Sequence, residues 1–468
     1  MAETFRQNVI EALADEQLRG NLIFATKAMR DRRVQVLPSD PDALLALRRA
    51  GAAIKDRVVA RLPELLVQLE ENCTKNGITV HWAETVQEAN RLVLDLMDTC
   101  EANDMVKGKS MVSEEMQLND FLAEHGRESV ETDLGEFIIQ LCGEGPSHIV
   151  APAMHKNRFQ VGEIFAEKIG MAYTDDPGEL LQGARNYLRE RFRRAGMGLT
   201  GVNFAVAETG TICLVENEGN GRMCSTVPPV HVAVMGIEKV LETMDQLPVM
   251  LKLLAGSASG QRISTYFQLI NGPRKGEEKD GPKEVHLILL DNGRSTMLAD
   301  PELRRTLKCI RCGCCLNHCP VYGRIGGHAY GAVYSGPVGS IVMPQLGGLE
   351  REGELPTAST LCNGCAEVCP VMIPLPSILR RLRNESYDPG GVVPGHGCRR
   401  NLVETLVWKG WKHMNTVPAL NRISLRLLGL FGRFLPKSGP LGAWTSVRTA
   451  PEFARKGLKD LLKEDGHA

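Results

Sequence analysis

The sequence lacks the features of a membrane or secreted protein. The chain has 468 residues, and no window of it offers the roughly 18 uncharged apolar residues that a membrane-spanning helix needs. The first residues, Met1 to Asn8, contain no apolar core of a signal peptide. At 43% hydrophobic and 24% charged residues, the composition is that of an ordinary globular protein.

The sequence also lacks an excess of one charge and the motifs of common organic cofactors. A net charge of -1 argues against general nucleic-acid binding. A phosphate loop is excluded at Gly108-Lys109-Ser110, because its first glycine would fall on Asn103. No predicted strand leads into G-x-G-x-x-G, and no flavin or haem motif is present.

Cysteine is abundant, and 8 of the 14 cysteines fall in two short runs. The first run contains C-x2-C-x2-C-x3-C-P from Cys309 to Pro320, and the second, from Cys362 to Pro370, is the same pattern without its first cysteine. This spacing is typical of bacterial ferredoxins, because a short loop wraps three thiolates around three corners of a [4Fe–4S] cubane. Zinc, the alternative, rarely uses so dense a run ending in Cys-Pro.

In two-cluster ferredoxins the last cysteine of each run ligates the other cluster. We therefore predict two [4Fe–4S] clusters and a reducing, cytoplasmic location. The predicted ligands of the first cluster are Cys309, Cys312, Cys315 and Cys369, and those of the second are Cys319, Cys362 and Cys365.

The second cluster has no fourth cysteine at the expected position, which is occupied by Ser359. Its fourth ligand is a hydroxyl, a cysteine from elsewhere or no protein group. Cys398, in a Gly-rich segment, is either that ligand or an ordinary thiol. Cys314 is predicted to lie outside the ligand sets, because adjacent cysteines do not easily reach one cubane.

Apolar periodicity divides the chain into predicted domains. Residues 1–75 form a helical segment, residues 76–295 an α/β domain with a largely parallel sheet, residues 296–390 a helical two-cluster ferredoxin-like domain and residues 391–468 a basic helical tail. The α/β prediction depends on strands at 78–82, 128–133, 149–151, 230–235, 265–270 and 285–290, and on helices at 86–97, 161–169 and 180–192.

Several loops of the predicted α/β domain are polar and Gly-rich. Loops at strand ends are where α/β sheets usually bind ligands, although each is also compatible with a plain turn. The loops are Lys107 to Met111, Glu131 to Glu136, Ala207 to Gly210 and Asn217 to Arg222.

In order and spacing, these motifs and the cysteine runs resemble the LutB/YkgF family of lactate-utilisation iron–sulfur proteins. The resemblance extends from about residue 10 to about residue 390 and includes Pro146 to Ile149, Gly236 to Lys239, Asp291 to Arg294 and Gly326 to Gly331. It implies a fold like that of CoA transferases and sugar-phosphate isomerases for residues 76–295. It also implies a cytoplasmic multi-subunit system that oxidises L-lactate to pyruvate, in which this chain carries electrons between donor and acceptor proteins.

Two kinds of function remain open. In the first, the chain is a redox subunit whose clusters pass single electrons. In the second, the α/β domain is itself an enzyme or binding module that acts on a small carboxylate or thioester, through an acid such as Glu218 or Glu208. The missing two-electron cofactor motif favours the redox subunit.

The C-terminal segment differs from the rest in charge. From Arg380 onward, Lys and Arg are more than twice as numerous as Asp and Glu. Arg422, Arg426, Arg433 and Lys437 share one face of a predicted helix whose opposite face is apolar. Such a helix indicates contact with a membrane surface or an acidic partner, or packing on its own protein.

Overall fold

The computed structural model describes residues 2–387, 391–393, 402–432, 454, 456 and 461–462. It divides the chain into two compact units, residues 1–397 and 398–468. The described α-helices are α1 (Ala2–Ala14), α2 (Glu16–Val36), α3 (Pro41–Ala60), α4 (Leu62–Lys75), α5 (Val86–Thr99), α6 (Met111–Glu115), α7 (Leu118–Glu124), α8 (Leu134–Cys142), α9 (Arg158–Ile169), α10 (Pro177–Arg194), α11 (Asn220–Thr226), α12 (Leu247–Ala258), α13 (Arg294–Ala299), α14 (Cys314–Asn317), α15 (Tyr322–Ile325), α16 (Gly336–Gly347), α17 (Leu349–Glu352), α18 (Gly364–Val368), α19 (Leu375–Glu385), α20 (Leu402–Thr416) and α21 (Pro418–Phe431). The described strands are β1 (Ile78–Ala83), β2 (Asp104–Lys107), β3 (Glu128–Glu131), β4 (Met197–Gly201), β5 (Phe204–Val206), β6 (Thr211–Glu216), β7 (Val230–Gly236), β8 (Val240–Leu241), β9 (Tyr266–Ile270) and β10 (Glu284–Leu290).

Six strands form one parallel sheet in the order β1-β10-β7-β4-β2-β3. The central strand β7 is buried along its whole length, so its sequence is a continuous apolar run interrupted only by His231 and Gly236. The predicted α/β class with a parallel sheet is confirmed. Because the strands are parallel, Lys107, Gly201 and Gly236 all lie at the same edge of the sheet.

A second sheet of four short strands has the order β8-β5-β6-β9 and contains two antiparallel pairs. The strand predicted at 265–270 is present as β9, but it pairs with β6 here and not in the parallel sheet. A period-two pattern marks a strand without naming its partner, so the sequence did not reveal this second sheet.

The strand predicted at 149–151 is wrong, because these residues lie in a loop. Two prolines, Pro146 and Pro152, enclose the segment. The buried His148 accepts hydrogen bonds at Nδ1 from the N–H groups of Val150 (3.1 Å) and Ala151 (3.2 Å). The ring thereby binds the amides that a strand would offer to a neighbour.

The N-terminal residues form helices α1 to α4, as predicted. Aspartates cap α2 and α3, since Asp15 accepts from the Leu18 N–H and Asp40 from the Asp42 N–H. These helices do not stand apart from the rest of the chain. Their apolar side chains Leu22 and Ile54 belong to one core with Ile149, Phe204, Leu303 and Leu316. The N-terminal helices, the α/β layer and the cysteine-containing segment therefore share a hydrophobic core.

In the second unit, α20 and α21 pack against each other. Arg422 and Arg426 are exposed on α21, whereas Arg433 and Lys437 lie outside the described residues. Several apolar side chains of the two helices are also exposed, among them Leu402, Leu406, Trp411, Ile423 and Leu430. Within the described residues, no helix combines the length and the apolar character that crossing a membrane requires.

Candidate iron–sulfur sites and a neighbouring cavity

The first cysteine run forms a buried loop. Cys312 is buried, and the chain turns on both sides of it through left-handed backbone at Arg311 (φ 58°) and Gly313 (φ 72°). The Arg311 N–H donates to Cys309 Sγ at 3.4 Å. Position 313 favours glycine, because its φ is left-handed and an added Cβ would lie 3.0 Å from Cε1 of His148.

The second run repeats this backbone at the surface. Leu361 (φ 56°) and Asn363 (φ 70°) flank Cys362 with nearly the same left-handed angles, although all three residues are exposed. Non-glycine residues rarely adopt this conformation, and its recurrence at matching positions shows that the two runs are copies of one local structure.

The copy extends to the position where the second run has no cysteine. Ser359 Oγ accepts a hydrogen bond from the Leu361 N–H at 3.1 Å, just as Cys309 Sγ accepts from the Arg311 N–H. Arg383 also holds this segment, since its Nη2 donates to the Ser359 carbonyl oxygen at 2.6 Å. The serine hydroxyl thus takes the place of the missing thiol.

The fold brings four of the predicted ligands together, and we call Cys309, Cys312, Cys315 and Cys369 the first thiol group. Burial first, and then the negative charges of Cys312, Cys309 and Cys369, raise the pKa of the Cys315 thiol. Charges act on one another in this way at short range in a protein interior, and the sulfur of Cys314 lies 3.7 Å from the carbonyl oxygen of Val368, the residue before Cys369. The last cysteine of the second run therefore lies with the first three of the first run.

The remaining cysteines, Cys319, Cys362 and Cys365, form the second thiol group. Burial and then the charge of Cys319 raise the pKa of Cys365 to about 12, with a smaller contribution from Cys362. The two groups are neighbours, because Cys365 also contributes to the raised pKa of Cys315. Convergent thiols in two adjacent groups are the donor set that iron–sulfur clusters take, so the residues fit such cofactors.

Backbone amides point at several of these sulfurs. The Tyr322 N–H donates to Cys319 Sγ at 3.5 Å, and the Ile373 N–H donates to Cys369 Sγ at 3.3 Å. The Gly364 N–H, followed by the Thr360 hydroxyl, lowers the pKa of the exposed Cys362. Hydrogen bonds of this kind stabilise thiolates and adjust cluster potentials.

Of the two other cysteines that the sequence singled out, the structure describes Cys314. Cys314 is buried, with its sulfur 3.7 Å from the Val368 carbonyl oxygen and 3.9 Å from His318 Nδ1. It therefore packs on the backbone of the second run. Cys398 lies outside the described residues.

Arginines of the N-terminal helices hold both loops, which sequence reasoning missed. Arg48 on α3 donates from Nε to the Cys369 carbonyl oxygen at 3.0 Å and from Nη2 to the Ala366 carbonyl oxygen at 3.1 Å. Arg30 on α2 donates to the Asn317 carbonyl oxygen at 3.2 Å. Isolated arginines in a helical pattern carry no motif, so the sequence offered no signal for this role.

Buried charges connect the first loop to the edge of the parallel sheet. Arg294 forms ion pairs with Glu238 at 2.7 Å and with Glu115 at 2.9 Å, and Arg311 lies 3.4 Å from Glu238. Burial would raise the pKa of Glu238, but Arg294, Arg311 and Lys239 outweigh it and lower the pKa to about 2. The buried carboxylate is therefore ionised, and it anchors the cysteine loop to the α/β layer.

Most of the polar loops in the α/β layer have structural partners. Lys107 pairs with Glu131 and Glu114 in the interior, and Asp133 caps α8. Glu216 accepts from the N–H groups that begin α11. For these residues the plain-turn alternative describes the structure.

A cavity of about 280 Å³ lies at the edge of the sheet where β2 and β4 end. Its wall is completed by the first cysteine loop, through Ile310 and Arg311. Of the two candidate acids, Glu218 lines this cavity and Glu208 does not. Glu208 is exposed and accepts from the Met244 N–H instead.

Glu218 is exposed as a residue, but its carboxylate accepts from the Leu134 N–H at 3.0 Å. Desolvation of the carboxyl group, followed by repulsion from Asp133, raises its pKa to about 7. On its solvent side, the cavity therefore has the carboxyl group of Glu218, whose pKa is close to neutral pH. On its inner side it has the first cysteine loop.

Comparison with known families identifies three segments of the chain. Residues 66–290 match the LUD domain, residues 305–373 match the 4Fe-4S dicluster domain, and residues 381–467 match the C-terminal region of lactate utilisation protein B. The match at 305–373 covers both cysteine runs. It identifies the segment that the sequence analysis predicted to bind iron–sulfur clusters.

Two curated relatives align along almost the whole chain. Lactate utilization protein B of Bacillus licheniformis is 38% identical over 470 residues, which cover 99% of this chain and 97% of that protein. Lactate utilization protein B of Bacillus thuringiensis is 40% identical over 467 residues, with 98% and 97% covered. A solved DUF162 family protein from Deinococcus radiodurans is 14% identical, covers 49% of this chain and 98% of its own, and has a TM-score of 0.29, too low for a structural argument.

Proposed function

The chain belongs to the lactate utilisation protein B family, and we propose that it is the iron–sulfur electron-transfer subunit of a multi-subunit system that oxidises L-lactate to pyruvate. The supporting observation is the pair of adjacent thiol groups, one buried against the α/β layer and one reaching the surface at Cys362. Bound clusters would supply one-electron transfer. Two neighbouring sites that differ in exposure provide a short path from the surface to the interior.

The proposed path has its outer end at the second thiol group. Cys362 and the flanking Leu361 and Asn363 are exposed, so a partner protein can approach this site closely. The first thiol group lies deeper, beside the buried Lys239 and beside Arg311, whose side chain is 11% exposed. We therefore place the docking surface for the electron-donating or electron-accepting subunit over the second loop.

We further propose that Ser359 Oγ is the fourth ligand of the second cluster. It occupies the position of Cys309 in the repeated loop and accepts the equivalent backbone hydrogen bond. A hydroxyl binds iron more weakly than a thiolate does, so one corner of this cluster is held less firmly. The alternatives, Cys398 or no protein ligand, predict a different response of the second cluster and its variants to brief exposure to air.

The proposal places the protein in the cytoplasm, because thiolate clusters are favoured in a reducing compartment. Contact of the C-terminal helices with a membrane surface remains a prediction based on Arg422, Arg426 and the exposed apolar side chains beside them. The alternative in which the α/β domain is an enzyme now depends on the cavity that contains Glu218.

The test uses the full chain purified without oxygen, which is expected to be brown and to contain about eight irons from two cubanes. Mixed with its partner subunits and L-lactate, it should lose visible absorbance as its clusters are reduced. Without the partners, lactate should leave the spectrum unchanged. Lactate-dependent dye reduction by this chain alone, with no flavin added, would assign catalysis to the chain itself.

A further inference from the structure

The cavity beside the first cysteine loop is lined by one cationic side chain without a partner and by another that is only partly satisfied. Three cationic side chains line it within the described residues: Lys109, Lys239 and Arg311. Lys109 is engaged, since its Nζ donates to the Val150 carbonyl oxygen at 3.2 Å and pairs with Glu136 at 3.3 Å. Lys239 has no hydrogen-bond or ion-pair partner anywhere in the described part of the chain, although the residue is only 7% exposed.

Arg311 is only partly satisfied. Its Nη2 lies 3.4 Å from Glu238, and its guanidinium stacks 4.7 Å from the ring centre of Tyr334. Its Nη1 is buried and has no hydrogen-bond partner. Lys239 and Arg311 both line this cavity, and the ammonium of a nearly buried residue and a buried guanidinium N–H that lack acceptors are costly unless an anion completes them.

The other walls limit what that anion can be. Ile149, Val150, Leu254 and Ile310 contribute apolar surface. On the solvent side, Glu218 would repel a second negative charge when ionised, but it offers a hydrogen-bonding group to a hydroxyl or carbonyl oxygen when protonated. The cavity thus has a cationic inner end, apolar sides and an acid toward its opening.

We propose that this cavity binds a small organic carboxylate, with its carboxylate group against the Lys239 ammonium and the Arg311 guanidinium. The apolar walls contact the carbon chain, and Glu218 faces its polar substituent. An arginine with a lysine beside it provides directed N–H donors together with a point charge, which suits a carboxylate.

The site also lies next to the first thiol group, because Arg311 lines the cavity and its backbone N–H donates to Cys309 Sγ at 3.4 Å. A bound carboxylate would add negative charge near the first cluster and disfavour the uptake of an electron. It should therefore lower the midpoint potential of that cluster. By linkage, reduction of the cluster should weaken carboxylate binding.

The test is calorimetric titration of the anaerobically purified full chain with pyruvate and L-lactate, with inorganic phosphate and propane-1,2-diol as comparisons. We expect one carboxylate to bind per chain, and the uncharged diol not to bind. Lys239→Met should weaken binding about tenfold or more, because a charge-assisted contact is lost. Lys252→Met, at an exposed position of α12 outside the cavity, should leave binding unchanged.

Ala258→Leu is a second variant that fills the cavity without changing charge, and it should also abolish binding. Variants are compared only at full iron content, which excludes misfolding. Absence of carboxylate binding by the wild type, or unchanged binding by Lys239→Met, would overturn the proposal, as would tighter binding of phosphate than of either carboxylate.

A redox titration separates ligand binding from simple charge compensation. If Lys239 and Arg311 only balance the charge of the cluster, Lys239→Met should shift the midpoint potential of the first cluster while pyruvate has no effect on the wild type. That result would overturn the carboxylate site. Since neither measurement needs partner subunits, it would leave the electron-transfer proposal untouched.

Discussion

The two cysteine loops share a backbone but differ in their surroundings. The first loop is buried, contacts His148 and is joined to the sheet through Arg311 and Glu238. The second loop, around Cys362, is exposed and depends on its own hydrogen bonds and on Arg383. Local structure is therefore repeated where the ligand geometry demands it, whereas exposure and nearby charge are set separately for each site. Two sites of one chemistry can thus differ in accessibility and potential.

The largest expected effect comes from removing one cysteine of each thiol group. Cys312→Ala and Cys362→Ala should each lower the iron content from about eight to about four per chain, because each leaves one cubane intact. The thermal midpoint should fall more for Cys312→Ala, since its loop is buried in the shared core. Iron analysis and anaerobic calorimetry measure the two effects. Cys142→Ala, outside both groups, is the control. An equal loss of stability in Cys312→Ala and Cys362→Ala would contradict the claim that burial makes the first loop more important for stability.

The second largest effect is expected on brief exposure to air, because the two clusters should differ in their sensitivity to oxidation. The second cluster, with a hydroxyl at one corner, should lose iron first and give a [3Fe–4S] signal in electron paramagnetic resonance. Ser359→Cys should suppress that signal, and Ser359→Ala should enhance it. If Cys398 occupies the corner, the wild type should show no signal, Cys398→Ala should produce it, and Ser359→Cys should change little. No signal in any of these proteins would contradict this account of the second site.

Arg48 contacts the end of the second cysteine run, through the carbonyl oxygens of Ala366 and Cys369. Because Cys369 belongs to the first thiol group, this contact bears on both cluster sites. Arg48→Met should lower stability by about 2 kcal/mol, since two carbonyl oxygens lose a charged donor. The neighbouring Arg49, which is exposed, supplies the matched control variant Arg49→Met. Anaerobic thermal unfolding measures both. A shift no larger than that of the control would mean that the contact contributes little.

The smallest effect concerns the left-handed residues at matching positions. Gly313→Ala should cost about 1–2 kcal/mol, because the new Cβ both strains a φ of 72° and crowds His148. Asn363→Ala should cost less than about 1 kcal/mol, because that residue is exposed and only the backbone preference changes. Unfolding of the two variants side by side tests the order. A greater loss at Asn363 would show that the exposed loop is the more constrained one.

Much of this organisation could be predicted from the sequence. The strands β1, β3, β7 and β10 and the helix α5 follow from apolar periodicity, because burial on a sheet or a helix face imposes a fixed repeat. The error at 149–151 arose because three apolar residues imitate a strand while His148 binds their amides. Strands β2, β4, β5, β6 and β8 were missed, since they are short and lack a clear repeat.

The sequence by itself determined the chemistry of the cysteine runs, because the gaps between thiols set which corners of a cubane one loop can reach. It also indicated Ser359 as the position where the repeat lacks a thiol. Only the tertiary structure decided that the first loop is buried and the second exposed, and that Arg48, Lys239 and Arg311 gather around them. Arg48 and Lys239 are distant in sequence from the cysteine runs and carry no motif, and the position of Arg311 inside the first run does not show what its side chain contacts. Their roles arise from packing in three dimensions, where desolvation gives each buried charge its effect.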